Sequence, residues 1–382
     1  MANTAPKIAG LERIENPDVI DRKAETLAGH IRKAKHMIAF TGAGVSTSAG
    51  IPDFRGPDGA WTLRAQGRER TGETTSTLQA IPTLTHMALV ELQNQGILKY
   101  LVSQNCDGLH RRSGILPDRI SELHGNSNLE YCRDCGKEYL RDFRAVSTYE
   151  KSIRDHRTGR ICASCHGVLL DTIINFGEAL SAATLQRARD HAASADLCLA
   201  LGSSLTIPPA CEIPEAVGRR RFSDLVICNL QATPLDGLAR QRVFARTDDL
   251  MAAVMAKLGL AIPAFRLRRR LVVGLETTGD ERHVLRVRGV DVDGTPATFL
   301  RSVRVAHARR PARTEPHVIH FNARLPVGAP LSIELEFMGH YGEPSLEIAH
   351  EYNGVQDGDT QYGLEYDPES GQWATSVLMR GV

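Results

Sequence analysis

Four short apolar runs, at residues 37–40, 98–102, 197–201 and 225–228, each end in small or polar residues and are separated by stretches with helical spacing, such as 22–35 and 184–195. Within 22–35, Leu27, Ile31 and Ala34 recur every third or fourth position among charged residues, as in a helix laid against a sheet. Short strands alternating with helices commit a chain to a parallel sheet, because parallel neighbours need a crossover that covers the sheet faces. In that architecture ligands bind at the carboxyl ends of the strands. The first run leads directly into Thr41-Gly42-Ala43-Gly44-Val45-Ser46. There, Gly42 and Gly44 would let the backbone approach a pyrophosphate, and a helix from about Ser46 would aim N–H groups at it, which points to NAD. The third glycine is Gly50, so the spacing departs from G-x-G-x-x-G, and a structural turn is an equal alternative.

The remaining organisation follows from two shifts in pattern. Residues 126–170 break the strand-helix alternation with a cysteine-bearing insert, and near 262–263, after a last helix at 248–258, the chain turns strand-like. Residues 283–290 and 331–337 alternate apolar and polar, with turn residues at 293–294 and 278–280. The expected layout is a Rossmann-like α/β domain over 1–262 with a small inserted module, then an all-β sandwich or barrel over 265–382. Arg266, Arg268, Arg269 and Arg270 are the nearest candidate for a nuclear import signal but read first as a solvated strand edge. Arg309 to Arg313 and the 331–337 alternation could recruit an acidic partner but read first as solvated loop and sheet edge.

With 42% hydrophobic and 24% charged residues in 382, the chain has an ordinary globular composition. A net charge of +1 gives no global attraction to nucleic acid or an anionic membrane, so only local patches could recruit them. No apolar stretch nears the roughly 20 residues of a membrane span, and residues 1–7 lack a secretory layout. An intracellular protein is expected, cytoplasmic, or nuclear if the source is eukaryotic. The eight cysteines suit a reducing compartment, since four of them stand at metal spacing. Cys132-Arg-Asp-Cys135 and Cys162-Ala-Ser-Cys165 each put two thiolates on one tight turn, and two such turns complete a tetrahedral, closed, structural zinc site. His166 beside Cys165 reads as an exposed loop residue.

Ordered behind the glycine turn stand Gln104-Asn105-Cys106-Asp107-Gly108-Leu109-His110, Glu122-Leu123-His124-Gly125-Asn126, the cysteine pairs, Phe176-Gly177-Glu178, Gly202-Ser203-Ser204-Leu205 and Asn229-Leu230-Gln231. Over residues 20–262 the chain resembles the sirtuins, NAD-dependent protein deacylases that carry a structural zinc. Its Pro52-Asp53-Phe54-Arg55-Gly56-Pro57 segment with Trp61 follows the wording of the branch of human sirtuins 6 and 7. The resemblance implies that the acyl oxygen of an acyl-lysine attacks C1′ of the nicotinamide ribose, and that His124 then acts as general base on a ribose hydroxyl. It implies that Asn105 and Asp107 surround that ribose and that Gln104 reaches its hydroxyls. Phe54, Arg55 and Trp61, with Asp53, match the family's cofactor loop. Gly42, Ala43, Gly44, Thr47, Gly202, Ser203 and Ser204 match positions around the phosphates, and Asn229 and Gln231 the adenosine ribose. Phe176, Gly177 and Glu178 align with a strand that holds an acylated protein or peptide. Two alternatives stay open: an NAD hydrolase or mono-ADP-ribosyltransferase on the same scaffold, and a non-catalytic NAD sensor.

Overall fold

The computed structural model describes residues 10–69, 71, 73–147, 154–277, 282–306, 308, 310–321, 325–352 and 358–380. They divide into two compact units, one of the described residues up to 127, with 154–155 and 172–265, the other of 128–147, 156–171 and the described residues from 266 onward. The turn expected at 278–280 and Arg309 lie outside the described residues.

The first unit is built on a six-stranded parallel sheet. Its order is Gln241–Val243, Asp224–Cys228, Leu197–Leu201, Met37–Thr41, Leu98–Ser103, Ile120–Glu122. Every residue of Met37–Thr41 is buried, as a strand covered on both faces requires. The pleat divides them: Met37 and Ala39 pack with Leu27, Ile31, Leu89, Leu92, Leu250 and Val254. Ile38 and Phe40 pack on the opposite side with Ala188, Ala192, Ile213 and Val217. The first helix, Pro17–Lys33, starts five residues before the expected 22 because Asn16 caps it, its Oδ1 accepting from the Asp18 N–H at 3.0 Å, with Pro17 in the first turn. No helix among the described residues is long and apolar enough to cross a membrane.

From Met37–Thr41 the chain builds outward to Ile120–Glu122, then returns to Leu197–Leu201 on the other side. The loops after these two strands therefore diverge at a switch in strand order, where a crevice opens. The loop after Met37–Thr41 corrects one expectation. It forms two 3₁₀ turns, Ala43–Val45 and Thr47–Ala49, and no α-helix begins at Ser46. Gly50, at φ 81°, and Pro52 stop the second turn before it can propagate.

Beneath this loop His86 and His110 lie buried with ring centroids 4.5 Å apart. His86 Nδ1 meets the Thr83 hydroxyl at 2.8 Å, and His110 Nε2 meets Thr41 Oγ1 at 2.8 Å. Burial pushes His86 down to about 3 from 6.5. A histidine depressed in the folded state contributes stability that is intact above the unfolded pKa and is lost as pH falls below it. For His86 the window is 6.5 down to about 3, and lowering the pH from 7 to 5 is expected to cost ~2 kcal/mol. Urea melts at the two pH values for wild type and His86→Leu measure it; equal pH dependence in both would contradict the assignment.

In the second unit, the strands of the cysteine-bearing insert, Leu129–Cys132, Glu138–Arg141, Arg157–Ile161 and Val168–Asp171, form a sheet completed by Ala297–Thr298 from far along the chain. Ala297 pairs with Leu140 and Thr298 with Arg141. The fully buried carboxylate of Glu130 receives Arg141 at 2.7 Å and Arg160 at 2.8 Å, and Arg141 also donates to Thr298 Oγ1 at 2.6 Å. The rest is two antiparallel sheets, one of five strands and one of three, sharing a core that includes Leu271, Val287, Val303, Ile333 and Leu335. This is a sandwich.

Two edge expectations fail here. Leu267–Thr277, which holds the 268–270 arginines, is the central strand of five, and Pro330–Phe337 is the central strand of three. The arginines are tolerated there because carboxylates meet them: Arg266 pairs with Asp367, Arg268 with Glu365 at 3.0 Å and Arg269 with Asp142 at 2.6 Å.

Candidate active site and metal centre

A cavity of about 930 Å³ lies in the first unit, at the carboxyl ends of the parallel strands. Its wall is made by the loops after Met37–Thr41, Leu98–Ser103, Leu197–Leu201 and Asp224–Cys228. Gly42, Ala43, Gly44 and Thr47 line it from the first, Gln104 and Asn105 from the second, Gly202, Ser203 and Ser204 from the third, and Asn229 and Gln231 from the fourth. Asp53, Phe54, Arg55, Trp61, His124, Phe176, Gly177 and Glu178 line it as well, so of the residues expected from the sequence Asp107 is the exception.

The glycines serve the wall itself. A methyl at Gly42 would stand 2.7 Å from the Gly202 carbonyl oxygen, and one at Gly44 2.7 Å from Gly202 Cα, so two loops touch backbone to backbone. Their N–H groups are already engaged: Gly42 donates to Leu201 O at 3.0 Å and Gly44 to Gly202 O at 2.9 Å. Neither glycine's N–H is therefore free for a phosphate, and the helix from Ser46 expected to aim N–H groups there does not form.

Behind this wall, hydrogen bonds fix which polar atoms face the cavity. Asn105 Nδ2 donates to Gly42 O at 3.1 Å and Ser46 Oγ at 3.3 Å, leaving Oδ1 as its unengaged group among the described residues. Gln104 Oε1 accepts from Ser203 Oγ at 2.7 Å, leaving its amide N–H groups. His124 Nδ1 lies 3.0 Å from the Gln104 carbonyl oxygen, which can only accept; Nδ1 carries the proton and Nε2 holds a free lone pair. Burial lowers the His124 pKa below 6.5, partly opposed by that hydrogen bond, so the ring is neutral at pH 7.

Asp107 is placed differently from expectation: it does not line the cavity. Its Oδ2 accepts from Ser46 Oγ at 2.7 Å and its Oδ1 from the Leu109 N–H at 2.9 Å, so it braces Ser46, which in turn receives Asn105. The Asn-x-Asp-Gly pattern gives turn chemistry and catalytic chemistry the same letters, and only the fold separates them. Phe176-Gly177-Glu178 is a turn and not a strand, with Gly177 at φ 87° and the Glu178 carboxylate accepting from the Asn175 N–H at 2.7 Å. Aromatic rings gather nearby: Trp61 stacks on Phe54 at 6.0 Å and meets Phe176 edge-on at 5.4 Å, with Phe54 and Phe176 about half exposed.

Sequence reasoning missed Glu12, Arg246, Thr247 and Asp248, which also line the cavity. Arg246 precedes the helix Thr247–Leu258, and Asp248 holds Thr85 N–H at 2.9 Å and Ser48 Oγ at 2.5 Å. An acidic residue at a helix start is a capping signal, and it conceals a cavity position. Glu12 carries no local signal.

In the second unit the Sγ atoms of Cys132, Cys135, Cys162 and Cys165 lie within 4.8 Å of one another. Cys132 and Cys165 are 3.4 Å apart and Cys135 and Cys162 3.7 Å, against about 3.8 Å for thiolates on one tetrahedral zinc. The two turns match: Gly136 N–H returns to Cys132 O and His166 N–H to Cys162 O, each at 2.9 Å, with Gly136 at φ 71° and His166 at φ 61°. The four thiols fit a structural zinc with no open position, and His166 is exposed as expected.

Residues 69–209 match the model of the Sir2 family. The chain is 37% identical over 260 residues to the NAD-dependent protein deacetylase Sirt6 of Drosophila melanogaster, covering 66% of this chain and 81% of that protein. It is 41% identical over 275 residues to the NAD-dependent protein deacetylase sirtuin-7 of Mus musculus, covering 70% and 67%. To the NAD-dependent protein deacetylase SRT1 of Oryza sativa subsp. indica the figure is 41% over 305 residues, 78% of this chain but 62% of the plant protein. The chain thus spans less than two thirds of that relative. Among solved structures, a Sir2 variant with a deacetylated p53 peptide and 3′-O-acetyl ADP ribose aligns with a TM-score of 0.50 and 30% identity, over 62% of this chain and 99% of that one. The chain belongs to the Sir2 family.

Proposed function

We propose that the cavity binds NAD together with an acyl-lysine side chain and that the chain is an NAD-dependent protein-lysine deacylase, releasing nicotinamide, O-acyl-ADP-ribose and free lysine. The observation that carries this reading is the juxtaposition, on one cavity wall, of a neutral imidazole with a free Nε2, an amide oxygen and an amide donor: His124, Asn105 and Gln104. The co-substrate supplies an electrophilic ribose carbon and a leaving group, and the acyl oxygen of the lysine is the nucleophile. Asn105 Oδ1 offers negative potential to a ribose that becomes electron-poor, and Gln104 N–H groups hold its hydroxyl oxygens. His124 Nε2 then accepts the proton of a ribose hydroxyl, whose oxygen attacks the amidate carbon; that carbon expels the lysine amine and adds one water, leaving O-acyl-ADP-ribose. Asp107 acts as a positioning residue through Ser46. With the Gly42 and Gly44 N–H groups occupied, the Arg55 guanidinium and the Thr47 and Ser204 hydroxyls meet the diphosphate. Phe54, Trp61 and Phe176 shield the ribose C1′ from direct attack by water. Phe54 and Arg55 fall outside the regular elements.

The experiment is incubation with NAD and an acetyl-lysine peptide, followed by mass spectrometry of the peptide. Loss of the acetyl mass only in the presence of NAD supports the reading, and an unchanged peptide contradicts it. The pH profile provides a second check. Because the active form of His124 is deprotonated and its pKa lies below 6.5, kcat/KM is expected to be flat through neutrality and to fall as pH drops below that value. An acidic limb centred above 6.5 would contradict the role of this buried ring.

A further inference from the structure

Four carboxylates line the cavity, those of Glu12, Asp53, Glu178 and Asp248. Three hold the cavity's own loops together: Asp53 accepts from Gly56 N–H at 3.0 Å, Glu178 from Asn175 N–H at 2.7 Å, and Asp248 from Thr85 N–H at 2.9 Å. Glu12 alone of the four has no hydrogen bond or ion pair among the described residues. Its place in the cavity is fixed by its neighbours. Arg13 N–H donates to Leu230 O at 2.9 Å and Gln231 Nε2 to Gly10 O at 3.0 Å, so the segment 10–13 runs beside Asn229-Leu230-Gln231.

That end of the cavity is short of an acceptor with full charge. The strand Asp224–Cys228 is followed by Asn229 and Gln231, where dinucleotide folds commonly carry a carboxylate for the adenosine ribose. The donors of this amide pair are turned onto the protein: Asn229 Nδ2 to Gln231 O at 3.0 Å, and Gln231 Nε2 to Gly10 O and to Arg55 O at 3.3 Å.

We infer that Glu12 is the residue that selects NAD over NADP: its carboxylate, brought in by the N-terminal segment, accepts the adenosine ribose 2′-hydroxyl and repels a 2′-phosphate. This rests on the cavity being the NAD site. The local field has the sign the inference needs. Partial burial is the largest influence raising the Glu12 pKa, followed by Asp53 and Asp58, with Arg246 acting in the opposite direction. A 2′-phosphate beside Glu12 would meet its carboxylate, with Asp53 and Asp58 adding to the negative field and Arg246 opposing it, whereas a hydroxyl would donate one charge-assisted hydrogen bond to Glu12.

The test titrates ADP-ribose and ADP-ribose 2′-phosphate, which differ only at that hydroxyl, into the full chain and into Glu12→Gln by calorimetry. Glu12 is exposed, so the variant is expected to melt as wild type does. Wild type is expected to prefer ADP-ribose. In Glu12→Gln, ADP-ribose should weaken about ten-fold, as for loss of a hydrogen bond to a charged group. ADP-ribose 2′-phosphate should tighten in the same variant, because Arg246 is then less opposed. A wild-type chain that binds ADP-ribose, with the same ligand ratio in the variant, overturns the inference and leaves the NAD reading standing. A wild-type chain that binds neither ligand overturns both.

Discussion

His124→Ala is expected to lower deacetylation about 10²- to 10⁴-fold, the usual contribution of a positioned general base, while leaving NAD affinity within a few-fold of wild type. The asymmetry follows from the geometry. His124 touches the cavity with one nitrogen and anchors to the Gln104 carbonyl at 3.0 Å with the other, so its truncation removes a proton acceptor and one internal hydrogen bond. The lost bond costs stability on the order of 1 kcal/mol, too little to unfold the chain. Gln104 keeps its side chain tied to Ser203, and the groups assigned to the diphosphate and adenosine are untouched. Initial rates at saturating NAD, with calorimetry of NAD binding, separate the two effects. Deacetylation within ten-fold of wild type would remove His124 from the role of base.

Replacing Cys132 by Ser acts on the other unit. Its Sγ is fully buried and 3.4 Å from that of Cys165, so one of four ligands is lost at the inner side of the site. Binding of a structural zinc contributes on the order of 10 kcal/mol of folding free energy, comparable to the whole stability of a domain. The variant is expected to lose its metal and the cooperative melting of this unit. The loss should spread, because Ala297–Thr298 completes the cysteine sheet and Arg141 bridges Glu130 to Thr298 and Glu315. Trp373, in the sandwich, reports it by fluorescence. Full metal content, or an unchanged melt without metal, would contradict this account.

Local signals in the sequence are enough for four of the six parallel strands, whereas most of the cavity lining is legible only through the family resemblance. Met37–Thr41 and Leu197–Leu201 announce themselves as apolar runs ending at a glycine or a polar residue, and loops that follow parallel strands have only one edge of the sheet to occupy. Other features depend on contacts between distant segments. Gly42 and Gly44 have the composition of a phosphate loop, yet what demands them is Gly202, more than 150 residues later. Asp107 reads as a site residue until the fold turns it toward Ser46. Arg269 looks solvated until Asp142 arrives beside it, whereas Arg268 stays exposed next to Glu365. Likewise, nothing near residue 140 indicates that Ala297–Thr298 will add a strand there.

The central claim is that the ribose–nicotinamide bond breaks beside His124 only when an acyl-lysine captures the ribose. The measurement that tests it most directly is simultaneous quantitation of nicotinamide and O-acetyl-ADP-ribose with and without an acetyl-lysine peptide. The account predicts equal amounts of the two with peptide and almost no nicotinamide without it. Nicotinamide released at the same rate whether or not peptide is present, with no O-acetyl-ADP-ribose, would contradict it and assign the cavity to NAD hydrolysis or ADP-ribosyl transfer.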